Sequence, residues 1–174
     1  DLLAQLEPDA SAVAMLLTPA DKLLGEVEAE IERQKRTLKR QSILSQSIDR
    51  NCYLVQTRSI EDALAFSDRI APEHLELMLA DSMNYVRFVQ NAGAIFLGPY
   101  TPEAMGDYIA GPNHVLPTGQ TARFSSGLSV DDFIKKSNVV FFDRAGFAAL
   151  AEAAMLLAQA EELDGHANSV RIRL

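Results

Sequence analysis

The chain has 174 residues, 48% of them apolar and 23% charged, which is enough material for one sizeable core. A net charge of -8, with basic residues scattered among acids, leaves no stripe to neutralise phosphates and excludes nucleic acid as the partner. No apolar run approaches the length of a bilayer span and no signal peptide opens the chain. The one cysteine, Cys52, has no internal disulfide partner, so the reading is a cytoplasmic protein in a reducing compartment, with no membrane partner.

Taken in order, the first residues, Asp1-Leu2-Leu3-Ala4-Gln5-Leu6-Glu7, read as the inside of a helix, so a cut chain or missing leading residues are expected. A turn at Pro8-Asp9-Ala10-Ser11 precedes an apolar run, residues 12–17, that suits a buried strand. Thr18-Pro19-Ala20-Asp21 is a helix start, with Thr18 as N-cap. The helix is expected to run to about Ser45, with Leu23, Leu24, Val27, Ile31, Leu38 and Ile43 on its apolar side. A strand at residues 52–55, a helix from the Ser59 cap to Ile70, a strand at 75–79, a helix from Asp81 to about Val89 and a strand at 92–97 follow. Beyond them a short helix is expected from Ser126 or Ser129 to Lys136, then a strand at 139–142 and an Ala-rich helix at 144–161. Residues 163–174 form a tail that docks on another element. Strands alternating with helices predict an α/β fold with a mainly parallel sheet flanked by helices. The expected division is a catalytic α/β half, residues 1–142, and a C-terminal helix with its tail, residues 143–174, docking on a partner subunit.

The organising stretch is NAGAIFLGPYTPEAMGDYIAGPNHVLPT, residues 91–118. Its many glycines and prolines rule out a long regular element, while Tyr100, Tyr108, Ile109, Val115 and Leu116 are too apolar for disorder. It reads as an ordered site loop at the end of a strand. Ahead of it, Glu73-His74 in IAPEHLELML pairs an acid with an imidazole at the lip of a strand. There the histidine can serve as base and the glutamate can activate water, although solvated turn residues have the same local pattern. Asp107 reads as a metal ligand, a carboxylate orienting an amine, or a helix cap. His114 suits a backbone cap or an anion contact in a tight turn. His166 lies in the tail, and all three histidines fall in segments of turn character. No Gly-x-Gly-x-x-Gly turn follows a strand and no Gly-x-Ser-x-Gly elbow is present, which argues against a self-contained dinucleotide site and a serine hydrolase.

The segments APEHLEL, NAGAIFLGPYTPEAMGDYIAGPNHVLPT, TARFSSGLSVDDF and GHANSVRIRL together resemble the C-terminal part of histidinol dehydrogenase, and the similarity extends over essentially all 174 residues. The resemblance implies a partial Rossmann-like domain in an NAD-dependent, zinc-containing homodimer that oxidises L-histidinol through the aldehyde to L-histidine. It makes His74 the base and Glu73 the group that activates water. Asp107, His166 and Gln5 match zinc ligands, and His114 and Glu161 match substrate-contacting positions, with His74, Asp107 and His166 also facing the substrate. Two departures stand out. The family has a histidine three residues after the glutamine, where this chain has Pro8, so zinc binding is expected to be weakened. The family's other α/β domain, which carries most of the NAD site, is expected ahead of Asp1, so this chain alone is expected to be inactive. Two rival readings are a shortened paralogue that binds or assembles without catalysis, and a zinc hydrolase using Asp107, His114 and His166 with Glu73 as base.

Overall fold

A computed structural model describes residues 1–174, which form two units, Asp1–Phe133 and Ile134–Leu174. The first unit rests on two separate pairs of parallel strands. In one, β1 (Ala14–Thr18) lies beside β2 (Cys52–Gln56), with Ala14 opposite Cys52. In the other, β3 (His74–Leu77) lies beside β4 (Ala94–Leu97), with His74 opposite Ala94. The class is α/β as expected, but the sheet comes as two two-stranded pieces. Strands this short are stable only against helices.

The first pair is covered by α1 (Leu2–Leu6), α2 (Asp21–Lys35) and α3 (Gln41–Asn51). Leu3, Leu6, Ala14, Ile31 and Leu44 form a core, and Val27, Leu38, Ile48, Cys52 and Leu54 pack around it. Burial pushes the Cys52 thiol pKa up, so this cysteine acts as a core side chain. The single long helix expected to Ser45 is two helices, because the chain turns at residues 36–40 and restarts at Gln41. Thr18 closes β1 instead of capping α2. Its hydroxyl accepts from the Ala20 amide at 3.2 Å, and Ala20 is the cap residue.

Next comes α4 (Ile60–Ile70), whose first turn is capped as the sequence predicts. Ser59 Oγ accepts from the Asp62 amide at 3.2 Å. The helix expected from Asp81 to Val89 is α5 (Ser82–Tyr85) followed by a 3-10 turn, Val86–Phe88. The long loop is not wholly irregular, for it contains α6 (Glu103–Tyr108). The short helix expected through Lys136 is a 3-10 turn, Val130–Phe133, with Ser129 Oγ accepting from the Asp131 amide.

In the second unit, residues 139–142 carry no strand. Val139, Val140 and Phe141 are exposed, and no neighbouring strand pairs with them. Asp143 caps α7 (Arg144–Ala160) by accepting from the Gly146 amide at 2.7 Å. The tail is a helix, α8 (Asp164–Arg171), which packs on α7, so its apolar positions find a partner within the unit itself. No helix of the chain is long and apolar enough to cross a membrane.

One buried polar contact joins α1 to α3. Ser47, fully buried, donates its hydroxyl to the Leu6 carbonyl at 2.9 Å. Ser47→Ala leaves that carbonyl without its cross-helix donor. The expected loss is about 1–2 kcal/mol of unfolding free energy, read from urea denaturation at equilibrium.

Candidate functional site

The site is assembled by three backbone constraints. Helix α4 ends at Ala71, which is 2% exposed and takes a left-handed conformation (φ 51°) that stops the helix and turns the chain into Pro72. The strand pair then begins where the Gly93 and Ala94 amides donate to the Pro72 and Glu73 carbonyls, each at 2.9 Å. Only glycine fits at 93, because a Cβ there would stand 2.6 Å from the Glu73 carbonyl oxygen. This close approach sets the register of His74. The third constraint is Glu76, two residues along β3 and so on the same face as His74. Its Oε1 accepts from the Glu103 amide at 2.8 Å and fastens the start of α6 to the strand.

Helix α6 comes down against β4 through Gly106, where an added Cβ would stand 2.5 Å from the Phe96 ring. Four residues apart on α6, Glu103 and Asp107 share one face and both point at His74. His74 Nε2 lies 3.8 Å from Glu103 Oε1 and 3.9 Å from Asp107 Oδ1. The imidazole is 13% exposed, lies 5.9 Å from the Phe96 ring, and has no hydrogen-bond partner at either nitrogen.

The cluster is rich in negative charge. Burial, first of all, raises the Glu103 pKa; His74 opposes that rise, while Asp107, Glu76 and Glu73 add to it. Three carboxylates therefore act on Glu103, which with Asp107 faces the single imidazole. Such a cluster favours a bound cation, whether an ammonium or a metal ion. His74, Glu103 and Asp107 each offer a donor atom, all within 4.8 Å of one another.

The structure brings His74 and Asp107 together, with Glu73 immediately before the strand and within electrostatic reach of Glu103. Gln5 is on α1 and half-buried. His114 is exposed after α6, in a turn where the Asn113 side chain accepts from the Val115 amide at 2.9 Å. Glu161 and His166 lie in the second unit, where they line one groove between α7 and α8 with Leu157, Leu163 and Ser169. Glu103 and Glu76 were not anticipated. The spacing of Glu103 and Asp107 in PEAMGD, four residues apart behind a proline, is the signal that a helix would aim both at one point.

Fold and site define an α/β protein with a buried imidazole in an acidic cluster. The family model described as histidinol dehydrogenase matches residues 1–174. The chain is 49% identical over 173 residues to the histidinol dehydrogenase of Bacillus cereus, covering 99% of this chain and 40% of that protein. It is 50% identical over 175 residues to that of Geobacter sulfurreducens, covering 100% and 41%. Among solved structures, the crystal structure of histidinol dehydrogenase from Elizabethkingia anophelis superposes with a TM-score of 0.91 at 38% identity, over 99% of this chain and 40% of that one. The chain belongs to the histidinol dehydrogenase family, and it spans about 40% of the length of the relatives it matches.

The buried acid has a consequence for stability. Because the Glu103 pKa is raised on folding, its ionised form is penalised in the folded state. That cost is full above the folded pKa and falls away as pH drops through it towards the unfolded value. Glu103→Gln is therefore expected to raise the urea midpoint at neutral pH, with the gain shrinking in acid. Unfolding curves of both proteins at neutral and acidic pH measure the difference.

Proposed function

We propose that this chain is the portion of a histidinol dehydrogenase that carries its proton-transfer site. The whole protein's reaction is the NAD-dependent oxidation of L-histidinol through the aldehyde to L-histidine. The observation that carries this reading is His74, buried, unpartnered at both nitrogens and within 4 Å of two carboxylates, in a chain of this family. A neutral imidazole so placed takes the proton of an alcohol, and the adjacent carboxylates stabilise the imidazolium that results. Glu73, the neighbouring carboxylate, activates water on the aldehyde for the second oxidation. Asp107 and His114, with Glu161 and His166 supplied by a twofold-related copy, hold the substrate's imidazole and amine, and the acidic cluster suits that cationic ligand.

Gln5, Asp107 and His166 are the proposed zinc ligands. Zinc accepts nitrogen and carboxylate oxygen, and the unbalanced negative charge beside Asp107 fits a cation. When bound, zinc supplies a Lewis acid that fixes the substrate's polar groups. Its affinity is lowered here by the proline at position 8. NAD is a different case, because the turns that follow β1 to β4 carry no glycine-rich phosphate loop. The dinucleotide is assigned to the remaining length of the family.

The second unit is proposed to dock on a twofold-related copy in a cytoplasmic homodimer, its His166 completing the partner's site. Exposed Val139, Val140 and Phe141, with Leu150, Leu156 and Leu157 on α7, support this, since apolar surface of that extent calls for a cover.

Three measurements test the proposal. Added L-histidinol is expected to bind in calorimetry with zinc present, at least about tenfold more weakly after Asp107→Ala, and the chain alone is expected to give no histidinol-dependent NAD reduction. Absence of binding, or turnover abolished by His74→Ala in this chain by itself, would count against it. In light scattering the expected mass is twice 19.1 kDa, and a stable monomer would overturn the exchanged dimer.

A further inference from the structure

Glu103 is the carboxylate most firmly held against the proposed base. Its side chain is 17% exposed, against 29% for Asp107, and its amide is bonded to Glu76 on the strand that carries His74. Strand and helix thus form a rigid frame, with His74 and Glu76 on one side and Glu103 and Asp107 on the other. Nε2 of His74 is the ring atom that faces the two carboxylates. A lone pair at Nε2 would point at negative oxygens, whereas an N–H there meets them favourably, and the site's low accessibility keeps the preference from being screened. A neutral imidazole carries one N–H, so the other nitrogen is then the acceptor. Nδ1 is shielded from solvent and has no hydrogen-bond partner within the chain, so no donor competes for its lone pair.

Resting on the reading of His74 as the proton acceptor, we propose that Glu103 is a positioning residue that holds His74 as the Nε2–H tautomer and makes Nδ1 the basic nitrogen. Asp107 faces the same atom but is more exposed and is committed to the bound cation when the site is filled, so the bias depends chiefly on Glu103.

The test reads the imidazole directly. Long-range proton–nitrogen NMR on the chain labelled with nitrogen-15 at histidine gives the shifts of both ring nitrogens, and His74→Ala assigns the resonances among the three histidines. At mildly alkaline pH the wild-type His74 is expected to show well-separated shifts with the proton on Nε2. Glu103→Gln, uncharged and of equal size, is expected to reduce that bias about tenfold, and Glu103→Asp to give an intermediate ratio. The backbone amide spectrum reports whether each variant is folded. A wild-type proton on Nδ1, or His74 shifts unchanged in folded Glu103→Gln, would overturn the proposal. If the glutamine variant does not fold, Glu103→Asp decides, and an unchanged ratio there overturns it. No turnover is needed, so a failure here is separate from a failure of the histidinol reading, which stands on binding and NAD reduction.

Discussion

The contact on which the site depends is the approach of α6 to β4 at Gly106 and Phe96. Any side chain at 106 would lift the helix, and with it Glu103 and Asp107, away from His74. The Phe96 ring, 8% exposed, is the floor for both: the helix backbone rests on it and the imidazole lies beside it. A packing constraint between one glycine and one aromatic ring thereby sets electrostatic distances of under 4 Å.

The second layer of the design is the cost it accepts. Burial raises the Glu103 pKa first of all, and the neighbouring carboxylates Asp107, Glu76 and Glu73 add to the rise. A core built for stability would pair or remove such groups. Here they are held together by devices that do not neutralise them: Glu76 spends its oxygen on the Glu103 amide, and Gly93 and Ala94 hold the strand that carries His74. Strain of this kind is the usual companion of a functional site, where stability gives way to pre-organised charge.

Much of this was legible in the sequence. The α/β class, the Ser59 cap and the strand–helix alternation through β4 all follow from local patterns of period and capping. The long-range motifs carried the family. What local pattern could not supply was distance. The reading took residues 98–118 as one ordered loop after the strand and so missed α6, a helix of six residues that propensity alone does not mark. With the helix missed, Glu103 had no reason to be grouped with His74. The strand expected at residues 139–142 failed for the opposite reason: Val139 to Phe142 have strong β propensity, but a strand needs a partner edge, and none lies beside them. That the tail docks on another element was legible, but that the element is α7 was not, since the pairing is a tertiary contact.

Helix α1 shows how a short element can borrow its order. Five residues are too few to nucleate a helix in water. The segment is helical because Leu3 and Leu6 enter the core and because Ser47 reaches the Leu6 carbonyl across 41 positions of sequence. Gln5 sits on a segment whose place depends on the anchor that α3 gives α1. Any ion gripped by Gln5 would then act as a latch on that segment, and its grip would register as slowed amide exchange far away, along α3, in residues that never touch the metal.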